Sequence, residues 1–110
     1  MTHPIRLTAT IAVDPGQAQA AEAARDRVAE AVAPADDLFL TAGWENGNAI
    51  LTIRVGAASQ AAVDRHLKEH GPLYGQFDGI ARVTRMRVEG PVDEATLASM
   101  TRLADVVETA

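Results

Sequence analysis

The amino-acid sequence predicts an α+β fold in which a four-stranded antiparallel sheet carries its helices on one face. Apolar and polar side chains alternate through residues 5–13, as they do in a half-buried strand. Asn46-Gly47 separates two more such runs, which is typical of a β-hairpin. Two segments with helical spacing end at Pro34 and at Gly71-Pro72. These observations predict the order strand, helix, hairpin, helix, strand.

The first strand and helix follow from two kinds of spacing. Ile5 to Val13 is the strand, because aliphatic side chains recur there at every second position. Asp14-Pro15 then opens a helix that runs to about Ala33. Small side chains let a helix lie close to a sheet, and this helix has an inner stripe of them: Ala21, Ala24, Val28 and Val32.

The hairpin joins strands over residues 38–44 and 49–55. A two-residue turn at Asn46-Gly47 pairs Trp44 with Ala49 and Leu38 with Val55. In this register every apolar pair falls on one face of the sheet. We therefore expect that face to pack against the helices.

The next segment is a second helix followed by a short aromatic stretch. Ser59 caps the helix and Gly71-Pro72 ends it. Leu73, Tyr74 and Phe77 come next, and we expect them to form an extra turn that covers the sheet edge.

The chain closes with a fourth strand and a last helix. The strand covers residues 80–89, and its alternation breaks between Thr84 and Arg85, which predicts a β-bulge. Asp93 opens a C-terminal helix over residues 92–108. The order βαββαβ is the ferredoxin-like plan. Residues 1–110 are expected to make one domain of this type, with the C-terminal helix appended.

Composition excludes several classes of protein. With 47% hydrophobic and 23% charged residues, the chain is not disordered. Ten basic against 15 acidic residues give a net charge of −5, which argues against a general nucleic-acid binder. The absence of cysteine excludes disulfides, zinc–thiolate sites and thiol catalysis. No apolar run reaches membrane-spanning length and no signal-peptide pattern is visible, so we expect a cytoplasmic protein without membrane contact.

The sheet face away from the helices is rich in threonine and arginine. Strand parity places there Arg6, Thr8, Thr10, Phe39, Thr41, Ile50, Thr52, Arg54, Arg82, Thr84 and Arg87. One interpretation is a solvated sheet face, which is common in antiparallel sheets. The other is that this face pairs with a second subunit or lines a cavity for a polar or anionic ligand.

His66 and His70 share one helix face and match the letters H-x-x-E-H of an inverted metalloprotease pattern. A catalytic zinc needs a third protein ligand, and the sequence offers none in a suitable place. We therefore predict no metal site, and no cofactor, since no phosphate loop or dinucleotide fingerprint is present. A histidine at this position can still act as an acid or a base.

The chain resembles the dimeric α/β-barrel superfamily, and within it the antibiotic-biosynthesis-monooxygenase branch. The likeness covers residues 5 to about 88 and lies in Val13-Asp14-Pro15-Gly16-Gln17 and in residues 61–67 leading to Tyr74 and Phe77. It implies that two sheets pack face to face across a dimer and enclose pockets for aromatic, polyketide-like molecules. Members include cofactor-free oxygenases, polyketide cyclases and haem-degrading enzymes. The family's helix histidine falls on His66, whereas its asparagine on the first strand and tryptophan on the third have no counterpart here.

The resemblance and the strand parities together predict a homodimer that binds a small molecule, acting as a cofactor-independent monooxygenase or cyclase. His66 is the predicted acid or base. The predicted ligand-binding residues are Arg54, Arg82, Thr41, Thr52 and Tyr74. Two alternatives stay open: a non-enzymatic binding or interaction module, and a regulatory domain that binds a small ligand at the Asp14 turn.

Overall fold

The computed structural model describes residues 3–109 and has an α+β architecture. The elements in chain order are β1 (Ile5–Val13), α1 (Ala18–Val32), β2 (Leu38–Glu45), β3 (Ile50–Ala57), α2 (Gln60–His70), a 3₁₀ segment (Gly71–Phe77), β4 (Ala81–Glu89), α3 (Glu94–Met100) and β5 (Val106–Thr109). None of the helices in the described range has the length and apolar character that crossing a membrane requires.

The five strands form one mixed sheet in the order β2-β3-β1-β4-β5. Strands β2, β3, β1 and β4 pair antiparallel with one another, and β5 pairs with β4 in parallel. The predicted four-stranded antiparallel sheet is thus extended by one parallel strand at its β4 edge.

The predicted helix over residues 92–108 is wrong in its second half. Helix α3 ends at Met100, and residues 106–109 are the strand β5. The physical reason lies in composition: Val106, Val107 and Thr109 are β-branched and prefer extended backbone. The edge of β4 offers them free backbone partners, so pairing there satisfies groups that a helix would have bonded internally.

The hairpin register differs from the predicted one by two residues. Trp44 lies opposite Leu51 and Leu38 opposite Ala57, so the loop spans four residues, 46–49. Asn46 and Gly47 both adopt left-handed backbone, with φ of 53° and 68°, and the turn closes where the Ala49 N–H donates to the Asn46 carbonyl. Because the shift is even, each side chain keeps its predicted face.

The predicted β-bulge is confirmed. Thr10 pairs with Arg85 and Ile11 with Val83, so Thr84 is the extra residue on β4. The Thr84 hydroxyl donates to the Thr10 carbonyl at 3.2 Å and holds the bulge in place. The bulge resets the parity of β4, which turns Arg85 as well as Arg82 and Arg87 to the face without helices.

The helices cover the other face of the sheet. Helix α1 starts at Ala18, later than predicted, and buries the predicted stripe of alanines and valines. The core also takes Val63 from α2, and Tyr74 and Phe77 from the 3₁₀ segment, against the inward side chains of β1, β3 and β4. We call the sheet face away from the helices the open face.

Candidate functional site

Helix α2 carries the predicted acid or base, His66, into the helix layer. The Ser59 hydroxyl accepts a hydrogen bond from the Ala62 N–H and fixes the start of the helix. His66 then falls on the same inward side as Ala62 and Val63 and is completely buried. It therefore lies on the side of the sheet opposite to the open face.

His66 is the centre of a chain of three polar side chains. Its Nδ1 lies 2.9 Å from Nδ1 of His70, and its Nε2 lies 3.2 Å from the hydroxyl oxygen of Tyr74. A hydroxyl proton needs an acceptor when it is buried, and the acceptor here is His66 Nε2. In the arrangement that satisfies every group, Tyr74 donates to Nε2 and His66 Nδ1–H donates to His70 Nδ1. The remaining proton of His70 is then on Nε2.

Burial keeps the His66 ring and the Tyr74 hydroxyl uncharged at neutral pH. Desolvation, with the charges of His70 and Arg65, lowers the pKa of His66 to about 4. Desolvation also raises the pKa of the Tyr74 hydroxyl far above its ordinary value. His66 is thus a neutral imidazole, able to accept or pass on a proton but not to hold a stable positive charge at neutral pH.

Tyr74 and Arg82, two predicted ligand-binding residues, line one cavity of about 360 Å³ between the 3₁₀ segment and the start of β5. The guanidinium of Arg82 is already occupied, because its Nε donates to Asp105 Oδ2 at 2.5 Å. This bond is the main reason that the pKa of Arg82 is raised. Arg82 therefore helps to hold the loop before β5, and a ligand anion would have to compete with Asp105.

Arg54 and Thr41, two further predicted residues, lie together in a shallow hollow of about 330 Å³ on the open face. Arg54 is opposite Thr8 on β1 and opposite Thr41 on β2. Arg6 lines the same hollow, and neither Arg6 nor Arg54 has an acidic partner within 4 Å among residues 3–109. Two guanidiniums without counter-charges therefore converge on this hollow.

Aromatic rings close one side of the hollow. The Phe39 side chain is 59% exposed, and the His3 ring stacks obliquely on it with centroids 6.1 Å apart. Gly56 makes room for His3, since a Cβ on residue 56 would lie 3.0 Å from the His3 Cβ. Thr52, also predicted to contact a ligand, belongs to this face but is only 4% exposed, so its neighbours cover it.

The structure thus divides the predicted site between two sides of the sheet. Thr41, Thr52 and Arg54 belong to the open face, whereas His66 and Tyr74 belong to the helix layer. Two partners were missing from the predicted set, Arg6 and His70. Strand parity had placed Arg6 on the right face, and the i, i+4 spacing had placed His70 beside His66, so both were within reach of sequence reasoning.

Comparison with known proteins finds similar folds but does not assign the sequence to a family. No protein-family model matches this sequence, and a search of curated proteins finds no match. The solved structures that are similar to it in fold include MupZ and PA3566. MupZ from Pseudomonas fluorescens has a TM-score of 0.79 at 14% identity, over 96% of this chain and 86% of MupZ. PA3566 from Pseudomonas aeruginosa has a TM-score of 0.65 at 18% identity, over 80% of this chain and 91% of that one.

Proposed function

We propose that this chain is a ferredoxin-like domain of the dimeric α/β-barrel type, in which two copies meet through their open faces and bind a small molecule between them. The observation that carries the proposal is the hollow with Arg6, Arg54 and Phe39 on a sheet face that no helix covers. The strand order β2-β3-β1-β4 and the similarity to MupZ and PA3566 support the fold.

The exposed apolar side chains support association through this face. Phe39 and Val106 are the large hydrophobic residues that residues 3–109 leave exposed, at 59% and 48%. Phe39 is on β2 and Val106 on β5, the two edge strands, and both point to the open face. Single exposed hydrophobics are ordinary on a protein surface, but their restriction to the one uncovered face favours a partner there.

The groups around the hollow define the class of ligand. Arg6 and Arg54 can bind a carboxylate or another planar oxyanion, and Thr8 and Thr41 add hydroxyl groups. The Phe39 ring offers a flat apolar surface beside them. We therefore propose an aromatic or otherwise planar molecule that carries an anionic group.

Catalysis on such a ligand stays a prediction. A cofactor-independent monooxygenase or cyclase needs an acid or base that touches the substrate. His66 is completely buried beneath the sheet, and it cannot contact a molecule held by Arg54 in this arrangement. The imidazole that lines the open-face hollow is that of His3.

Sedimentation analysis across 1–100 µM protein tests the dimer. We expect a dimer for the unmodified chain and a monomer for Phe39→Lys, because the change would bury a third positive charge beside Arg6 and Arg54 at the interface. Ala23→Asp, an exposed change on α1, should leave the dimer intact. A monomer at 100 µM for the unmodified chain would overturn the proposal.

Ligand class is tested with 2-naphthoate and its uncharged analogue 2-naphthamide. Binding measured by calorimetry should favour the carboxylate, and Arg54→Gln should weaken naphthoate binding at least tenfold without changing the oligomeric state. Equal affinity for the two compounds would show that the arginines do not select an anion.

A further inference from the structure

A second hollow lies on the helix side, where α2, the 3₁₀ segment and α3 come together. It has a volume of about 650 Å³, within the range of small-molecule sites. Leu67, Pro72 and Leu103 give it apolar walls. The sheet separates it from the open face, so it is independent of the function proposed above.

One end of this groove is closed by hydrogen bonds between α2 and α3. The buried Thr96 hydroxyl lies 2.5 Å from Asp64 Oδ1 and 2.9 Å from Asp93 Oδ1. The Gln60 amide bridges to Asp93, donating to its Oδ2 at 2.7 Å and accepting from its backbone N–H at 2.7 Å. The carboxylates at this end are thereby engaged in joining the two helices.

The other end carries positive charge. Lys68 is one helical turn beyond Asp64, about 6 Å along the axis, and Arg102, which follows α3, lines the same groove. Neither has a carboxylate within 4 Å among residues 3–109. The groove therefore has an acidic end whose carboxylates are hydrogen-bonded to Thr96 and Gln60, an apolar middle and a basic end without ion pairs to the described residues.

Most of the basic residues in this protein have a side-chain partner, whereas Lys68 and Arg102 at this end of the groove do not form ion pairs within the described part of the chain. Five of the ten form ion pairs: Arg25, Arg65, Arg82, Arg85 and Arg87. Arg27 donates instead to the Gln76 side chain. The four that remain fall into two pairs, Arg6 with Arg54 and Lys68 with Arg102, and each pair lines one hollow. In a chain of net charge −5, cations left without partners in pairs at a concave surface indicate an anionic ligand.

We infer that this helix-side groove binds an elongated apolar molecule with one anionic group at its end, such as a medium-chain carboxylate. The apolar part lies along Leu67, Pro72 and Leu103, and the anion lies between Lys68 and Arg102. An inorganic anion alone would leave the apolar walls in water, so the walls favour an amphipathic ligand.

Decanoate and 1-decanol are the probes; decanoate is added below the concentration at which it forms micelles and 1-decanol below its solubility limit. We expect decanoate to shift backbone amide resonances of residues 67–75 and 95–103 in nuclear magnetic resonance spectra. The double variant Lys68→Gln/Arg102→Gln should weaken decanoate binding at least tenfold and leave decanol binding unchanged. Arg25→Gln, which removes a half-buried charge on α1 away from the groove, is the control and should bind decanoate like the unmodified chain.

A second variant tests the groove without altering charge. Ser99 is exposed and lines the groove, so Ser99→Trp should fill it and abolish decanoate binding while the protein stays folded. The inference fails if decanoate shifts no resonance, if the shifted resonances belong to the open face, or if the double variant and Arg25→Gln bind equally well. Loss of dimerisation in Phe39→Lys leaves this test unaffected, so the two proposals stand or fall separately.

Discussion

Gly90 lies so close to Pro4 that a Cβ on residue 90 would come within 2.5 Å of the Pro4 carbonyl oxygen. The contact joins the turn after β4 to the residue before β1. Gly90 also has a φ of 104°, which residues other than glycine rarely adopt. Steric space and backbone conformation thus require glycine at the same position.

Gly90→Ala should lower the free energy of unfolding by about 3 kcal/mol, because the new methyl group would collide with backbone atoms of Pro4 and Ile5, which cannot easily move away. Gly79→Ala is the matched control. Gly79 has a φ of 82°, but nothing lies within 4 Å of its Cβ position, so only the backbone term applies. We expect that variant to lose about 1 kcal/mol. Urea denaturation measures both, and equal losses would contradict the role of the Pro4 contact.

The buried His66 predicts that acid destabilises the fold before the carboxylates titrate. Its pKa is about 4 in the folded protein, against 6.5 for a histidine exposed to water, so the unfolded chain binds more protons between these two pH values. Stability is therefore complete above pH 6.5 and falls as the pH drops toward 4, by about 3 kcal/mol in total.

Urea denaturation between pH 7.5 and pH 4 measures this loss, and the slope should be much smaller in His66→Gln. A direct titration of the His66 ring by nuclear magnetic resonance gives an independent value. Asp37 and Asp93 have lowered pKa values because Arg65 and Thr96 hydrogen-bond to them. Their contributions are present above pH 3.8 and are lost only below it. A His66 midpoint near 6.5 would contradict the prediction.

Removal of the Tyr74 hydroxyl should affect the free energy of unfolding differently in two backgrounds. In the unmodified chain, Tyr74→Phe leaves the buried Nε2 of His66 without a partner and should cost about 1.5 kcal/mol. In a His66→Leu background the hydroxyl itself is the unpaired group, so the same change should be neutral or stabilising. A double-mutant cycle by urea denaturation reports the difference. Equal costs in both backgrounds would show that the two groups are not coupled.

The Thr96 hydroxyl should contribute to stability by joining α2 to α3. Thr96→Val removes the donor shared by Asp64 and Asp93, and we expect a loss of about 2 kcal/mol. Thr101→Val is the control, because Thr101 is exposed and its hydroxyl donates to the nearby Ala98 carbonyl within the same turn. That change should cost less than about 0.5 kcal/mol. Thermal unfolding compares the two.

Local patterns predicted most of the elements, because their signals lie within a few residues. The alternation in residues 5–13, the alanine stripe of α1 and the bulge at Thr84 all follow from short-range spacing. The length of the hairpin loop could not be predicted in this way, because Asn46-Gly47 fits both a two-residue turn and the observed loop of four residues. Because the observed and predicted registers differ by two residues, each side chain of the hairpin lies on the sheet face that was predicted for it.

The parts that could not be predicted depend on contacts between distant elements. Strand β5 is short, and its β-branched residues favour extended backbone, but its pairing depends on the free edge of β4. The bond between His66 and Tyr74 requires the 3₁₀ segment to turn the tyrosine back onto α2, which no spacing rule states. The division of the predicted site between the two sides of the sheet has the same cause.

The parallel pairing of β5 with β4 also shapes the electric field of the open face. Asp105, just before β5, pairs with Arg82, and Glu108 on β5 pairs with Arg85, while Glu89 on β4 itself lies 3.9 Å from Arg87. The C-terminal residues therefore cancel much of the positive charge on one half of the face. An approaching anion is drawn to the other half, where Arg6 and Arg54 have no such counter-charges. A short strand at the margin of the sheet thus decides which part of the surface is electropositive.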